Sequence, residues 1–205
     1  MKYKLIIFDF DGTLADYLPF IKPIYNEVAD SLKLKKMVDI NIFRNMTTKQ
    51  FIKDQKIPFF RIPYLLRQGR EIQLKYMDKM KLRGNMKEVL EKIHSECKIG
   101  ILSSNSKKVI YSFLGRHKME SMFDFVQSYG KLYAKFIPLT KIMLEKGLKP
   151  SEVLYVGDEV RDIQATKQIH MDIATVTWGF DSEELLKKHD PAYIINKPDE
   201  LLDII

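Results

Sequence analysis

The stretch Tyr3-Lys4-Leu5-Ile6-Ile7-Phe8-Asp9-Phe10-Asp11-Gly12-Thr13 joins a hydrophobic run to a short acidic turn. Tyr3 to Phe8 reads as a buried strand, which leaves Asp9 and Asp11 at its carboxyl end, where open α/β sheets build their ligand sites. With a side-chain period of two, both aspartates project to the same side, while Gly12 frees the backbone for a sharp turn and Thr13 supports it. Two solvated aspartates opening a loop would give the same pattern. A buried pair, by contrast, is costly unless it is matched by a cation.

A second acidic cluster favours the buried arrangement. Ser151 to Val156 is another apolar strand candidate, and it runs into Gly157-Asp158-Glu159-Val160-Arg161-Asp162 ahead of a helical pattern from Ile163 to Ile169. If the two strands are parallel neighbours, Asp158 falls beside Asp9 and Asp11, and their oxygens converge where a hard divalent cation such as Mg²⁺ fits. Between them, Lys98 to Leu102 is a strand candidate ending in Ser103-Ser104-Asn105-Ser106. Hydroxyls and an amide at a strand-to-helix junction suit phosphate oxygens. Lys135 opens the helix that precedes the Asp158 strand.

With these residues the chain resembles the haloacid dehalogenase superfamily, over nearly all of its length. The four motifs of that superfamily appear in order: DFDGT at Asp9 to Thr13, a hydrophobic strand ending at Ser104, a lysine at Lys135, and GDEVRD from Gly157 to Asp162. The closer resemblance is to the phosphoglycolate phosphatase-like branch, carried by LSSNS at Leu102 to Ser106, LYVGDEVRD at Leu154 to Asp162 and VTWGF at Val176 to Phe180.

The resemblance implies a phosphatase that works through an aspartyl phosphate. Asp9 is its nucleophile by family match, and Asp11 its general acid and then general base. Family dehalogenases lack an aspartate two positions after the nucleophile, and the related cation-pumping ATPases have threonine there, so Asp11 argues for phosphatase or phosphomutase activity. Ser104 would hydrogen-bond the phosphoryl group and Lys135 would offset the charge gathered on Asp9 and the substrate. Mg²⁺ would be held by Asp9, the Asp11 backbone carbonyl and Asp158. Asp162 would orient Lys135 or a metal-bound water, although a plain carboxylate at a helix N-terminus reads the same way. Glu159 is a candidate outer contact of the metal, and Arg161 a solvated helix residue. Gly12, Thr13 and Asn105 are expected at the substrate, with Ser106 as a helix cap.

Organisation along the chain is α/β with one insertion. Alternation of strand and helix stops from Asp16 to Arg83, where helical patterns run at roughly 17–33, 47–55 and 63–81, and resumes after Gly84. The expected architecture is therefore a Rossmann-like parallel-sheet core, 1–15 and 84–205, carrying an α-helical cap domain at 16–83, in the position of the family's cap. Later strands are expected at about 98–103, 123–127, 152–157 and 172–176, with a short one near 192–195. Residues 16–83 hold 15 Lys+Arg and 7 Asp+Glu, a net of +8, against 19 and 20 elsewhere, a net of −1. A basic lid would attract an anionic ester, and a solvated basic surface would show the same count. Family caps often place a substrate-contacting arginine where Arg44 stands, so Arg44 is the cap's substrate candidate, followed by Arg61, Arg67 and Arg70. The apolar set Ile57, Phe59, Phe60, Ile62, Tyr64, Leu65 and Leu66 reads as cap core, and Trp178 and Phe180 as packing residues.

At 205 residues and 45% hydrophobic content the chain can bury one substantial core and a small insert. It has no apolar stretch long enough to span a bilayer, and Asp9 and Asp11 argue against a signal peptide, so a soluble cytoplasmic protein is expected. Cys97 is the only cysteine, which excludes an internal disulfide. His94, His117, His170 and His189 show no metal-ligand spacing. The pI near 9.2 raises nucleic-acid binding, but no recognition helix, aromatic strand pair or arginine-rich tail accompanies it. The expected partner is a small phosphoester, with neither nucleic acid nor membrane, and the protein a monomer or homodimer. The alternative within enzymes is a phosphomutase, which shares all four motifs.

Overall fold

The computed structural model describes residues 2–131 and 133–205. Among the described residues one sheet forms from six strands: β1 (Leu5–Phe8), β2 (Lys98–Ser103), β3 (Phe125–Ser128), β4 (Val153–Gly157), β5 (Asp172–Val176) and β6 (Tyr193–Ile195). All pairings are parallel, and the spatial order is β3-β2-β1-β4-β5-β6. β1 is therefore central, with Ile7 level with Gly100 on one side and Tyr155 on the other. The order reverses at β1, and a reversal of this kind opens a crevice beyond the carboxyl ends of the strands. The residues that leave β1, β2 and β4 are those of three of the four sequence motifs.

Buried on both faces, β1 reads as a continuous apolar run. Its alternation divides the core. Leu5 and Ile7 pack with Leu139, Ile142 and Ile163, from helices α7 (Phe136–Lys146) and α8 (Val160–Lys167). Ile6 and Phe8 pack on the other face with Val89, Leu90, Ile110 and Phe113, from α5 (Met86–His94) and α6 (Lys107–His117). Each such fully buried side chain contributes roughly 1.5–3 kcal/mol. Where β2 passes β3, the Phe125 ring occupies the place of a side chain at Gly100, lying 2.2 Å from where its Cβ would be. A larger residue there would push β3 off the sheet.

Between β1 and α5 the chain makes four helices: α1 (Leu18–Leu32), α2 (Ile40–Arg44), α3 (Thr48–Asp54) and α4 (Ile62–Tyr76). α3 starts where a capping box places it, with the Thr47 and Gln50 side chains each bonded to the other's backbone. The five-residue α2 is absent from the sequence expectation because it spans barely more than one helical turn. This helical layer has a small core of its own, Tyr25, Ala29, Met37 and Phe43, with Phe51 set edge-on to both Tyr25 and Phe43 at 5.3 and 5.2 Å. The expected apolar set is distributed differently. Ile57 and Ile62 are buried, Phe59 and Phe60 are 79% and 78% exposed, and Leu65 and Leu66 are half-buried. The short 3-10 turn Phe59–Arg61 turns the two phenylalanines outward ahead of α4.

Candidate functional site

Asp9 continues the β1 ladder by donating its N–H to the Val156 carbonyl at 2.8 Å, so its carboxylate stands directly at the strand end. One oxygen accepts the Phe10 N–H at 2.7 Å and the other the Lys135 ammonium at 2.7 Å. Lys135, buried at the start of α7, also donates to the Tyr155 hydroxyl at 2.8 Å and to Asp162 Oδ1 at 2.6 Å. Its three N–H bonds are thus all used. Burial alone would lower the Lys135 pKa, but the Asp162 and Asp9 carboxylates outweigh it and hold it above the usual lysine value.

Asp158 follows β4. Thr13 Oγ1 donates to one of its oxygens at 2.9 Å and the Phe180 N–H to the other at 2.8 Å. Its carboxyl is pushed well up by burial and by the charges of Glu159, Asp9 and Asp162. Two glycines make room for it. A Cβ on Gly12, which has φ +78°, or on Gly179 would lie 2.2 or 2.1 Å from Asp158 atoms. Asp162 is pushed up to about 6, burial outweighing the opposing pull of Lys135. Asp181, on the loop after β5, is pushed to about 8 by burial and then by Glu159. It accepts the Val160 N–H at 2.6 Å, and its other oxygen has no partner among the described residues.

Oxygens of Asp9, Asp158 and Asp162 lie within 4.8 Å of one another. Buried carboxylates that face one another this closely, with Lys135 bonded to two of them, form an oxygen donor set of the kind that a hard divalent cation such as Mg²⁺ takes. Lys135 takes one oxygen of Asp9 and one of Asp162, whereas the two Asp158 oxygens accept from Thr13 and Phe180. The Asp11 carboxylate stands apart from this cluster. Gln73 Nε2 donates to it at 2.5 Å and Asn105 Nδ2 at 2.8 Å, and Asn105 Nδ2 also reaches Gln73 Oε1 at 2.7 Å. Burial pushes the Asp11 carboxyl up to about 6 against the pull of those two amides.

A cavity of about 230 Å³ opens over these groups, bordered by Asp9, Asp11, Gly12, Ser104, Asn105 and Asp158. Thr13 is buried beneath it, its hydroxyl on Asp158 and its carbonyl on the Trp178 indole at 3.1 Å, so it shapes the floor instead of touching the space. Ser106 caps α6 as expected, through the Val109 N–H. Glu159 accepts from Thr48 Oγ1 at 3.0 Å and pairs with Arg161. Arg161 is therefore not a solvated helix residue. Its side chain is only 12% exposed and borders the cavity, because Glu159 and Asp162 hold it inward.

Arg44 is placed away from the expected position at the substrate. Its guanidinium donates to the carbonyls of Phe180, Thr177 and Gly179 at 3.1, 3.2 and 3.3 Å, and Arg44 is absent from the cavity wall. It ties the helical layer to the loop whose Phe180 amide holds Asp158. Arg70 does reach the cavity, with Nη2 on the Ser104 carbonyl at 2.5 Å. Arg61 and Arg67 are exposed, as is every lysine from Lys22 to Lys81, so the +8 of this segment sits almost wholly on its outer surface. Gln73 escaped sequence reasoning. It follows the polar run Arg67-Gln68-Gly69-Arg70-Glu71 after a single isoleucine, and its only distinction is falling one turn beyond Arg70 on the inward face.

The sequence profile described as haloacid dehalogenase-like hydrolase matches residues 6–176. A phosphoglycolate phosphatase from Synechococcus elongatus is 30% identical over 98% of this chain and 97% of its own length. A pyrophosphatase from Bacillus cereus is 23% identical over 100% and 97%. Among solved structures, a haloacid dehalogenase-like family hydrolase from Streptococcus pneumoniae superposes with a TM-score of 0.81 at 20% identity, covering 99% of this chain and 98% of that one.

Proposed function

This chain belongs to the haloacid dehalogenase-like hydrolase family as a phosphatase, and we propose that it cleaves a small phosphomonoester through an aspartyl phosphate on Asp9, with Mg²⁺ bound beside it. The observation that carries this reading is the shared cavity: Asp9, Asp11 and Ser104 border one space, with Lys135 locked behind Asp9.

Asp9 attacks phosphorus as a carboxylate, splitting one displacement into two easier ones. Its orientation is set by the Phe10 N–H and Lys135, which leave its lone pairs directed over the strand end. Lys135 compensates the charge on Asp9 without leaving its site, since Tyr155 and Asp162 anchor it. Asp11, oriented by Gln73 and Asn105, gives a proton to the departing alkoxide and takes one from the water that hydrolyses the intermediate. Ser104 offers its hydroxyl to a phosphoryl oxygen. Asp9 and Asp158, with the Asp11 carbonyl, would hold Mg²⁺, which supplies the positive charge that lets an anionic nucleophile approach an anionic phosphate. Glu159 and Asp162 would support this group from outside. The helical segment 16–83 serves as the cap that covers the reaction and excludes water.

The test is phosphate release from a panel of metabolite phosphoesters with and without Mg²⁺. Metal-dependent release that disappears in Asp9→Asn is expected. Metal-independent release, or release that survives the substitution, would refute the mechanism.

A further inference from the structure

The cavity over Asp9 has two chemically unlike ends. Carboxylates stand at the sheet end, and both guanidiniums that border the space belong there too: Arg70 is bonded to the Ser104 carbonyl and Arg161 is paired with Glu159. The opposite wall comes from the helical layer and presents Ile24, Val28, Met37, Phe51, Leu65 and Leu66. Tyr25 also faces it, but its hydroxyl is taken by the Lys35 carbonyl and Gln55 Oε1, at 3.2 and 3.1 Å. Among the described residues no lysine borders the cavity, and no arginine besides Arg70 and Arg161.

An ester bound with its phosphorus at Asp9 must extend its alcohol part toward this wall. A carboxylate or second phosphate there would lose its water against apolar side chains, and the two guanidiniums of the cavity are engaged at the other end, Arg70 reaching from α4 to the Ser104 carbonyl and Arg161 paired with Glu159, so it would cost far more than an apolar group of the same size. An apolar cavity of roughly 150 Å³ takes up a benzene ring, so about 230 Å³ suits one ring together with a phosphoryl group. We propose that this site selects phosphomonoesters whose alcohol is apolar and about the size of a benzyl group, and rejects those whose alcohol carries a second anionic group. The proposal rests on the phosphatase reading of the same site and adds the substrate class to it.

The experiment compares benzyl phosphate with 4-carboxybenzyl phosphate, which share the reacting centre and differ in one distant carboxylate; phosphoglycolate and pyrophosphate complete the set. With Mg²⁺ present, kcat/KM for benzyl phosphate should exceed that for its carboxylated twin by about tenfold or more, chiefly through KM. Leu66→Arg, at a half-buried position on the wall, should shift that ratio several-fold toward the carboxylated ester. Independently of turnover, benzylphosphonate should raise the melting temperature of the Mg²⁺-loaded wild type more than 4-carboxybenzylphosphonate does. Equal or reversed preference within the pair overturns the substrate class while leaving the phosphatase reading intact. Selective stabilisation by benzylphosphonate without hydrolysis of any ester upholds the apolar selectivity and removes the catalytic reading. Neither hydrolysis nor selective stabilisation overturns both.

Discussion

At the sheet end of the cavity the side chains of Asp9, Asp11, Asp158 and Lys135 are each held by hydrogen bonds to a different element, whereas at the helical end the side chains of Ile24, Val28 and Leu66 are positioned by packing alone. Directional bonds fix atoms to tenths of an ångström and tolerate no change of donor. Packing fixes volume and polarity, and tolerates substitutions that preserve both. On the proposed reading the difference separates two jobs, the first end performing one reaction and the second choosing what enters it.

Breaking the sheet end should therefore cost far more than altering its surroundings. Asp9→Asn keeps the shape and removes the proposed nucleophile, so phosphate release at saturating Mg²⁺ should fall by at least about a thousandfold. A residual of more than a few per cent of wild-type turnover would contradict the covalent role.

Asp158→Asn should lower activity by about a hundredfold or more and abolish the rise in melting temperature expected of the wild type on adding Mg²⁺. Without metal, the same variant should melt no lower than wild type, since it removes one of several crowded like charges. Unchanged stabilisation by Mg²⁺ in Asp158→Asn would remove this residue from the metal set.

Gln73 joins the two ends, because a residue of the helical layer orients Asp11. Gln73→Ala should lower kcat by about tenfold with little change in KM, as expected for loss of orientation of an acid–base group. If KM rises instead while kcat holds, Gln73 belongs to the wall and not to the chemistry.

The smallest effect on catalysis is expected at Arg44. Arg44→Ala loses three bonds to the loop after β5 and should reduce stability by about 1–3 kcal/mol, read from denaturant unfolding. Any loss of kcat/KM should be shared equally by benzyl and 4-carboxybenzyl phosphate. A loss confined to the carboxylated ester would restore Arg44 to the substrate.

The contrast also explains what could be read from the chain. Asp9, Ser104 and Asp158 each follow a strand of apolar residues, so a period of two and a strand end locate them without tertiary knowledge. Lys135 precedes a helix and becomes meaningful only through its tertiary partners Asp9 and Asp162, the latter a residue of the Asp158 motif. The helical end offers no such markers. Leu65 and Leu66 look like any helix core, and whether Phe59 faces in or out depends on a 3-10 turn that periodicity does not mark. Charge counting misleads for a physical reason, since long lysine side chains stay hydrated unless a buried partner draws them in. Arg161 had that partner in Glu159, two residues away, where an i,i+2 spacing on a regular helix would keep them apart. Glu159 is not yet helical, being the N-cap of α8, and so the pair can meet.

The central place of β1 governs the order in which the protein can be assembled. Leu5 pairs with Lys98 on one flank and with Val153 on the other, so β1, made before both partners, must wait for segments about 90 and 150 residues further on. Contacts so remote in sequence are slow to close, while the helices between Leu18 and Tyr76 depend on near neighbours and can appear early. During refolding, helical circular dichroism should therefore return ahead of catalytic competence. The interval between the two signals would measure the time β1 spends waiting for β4.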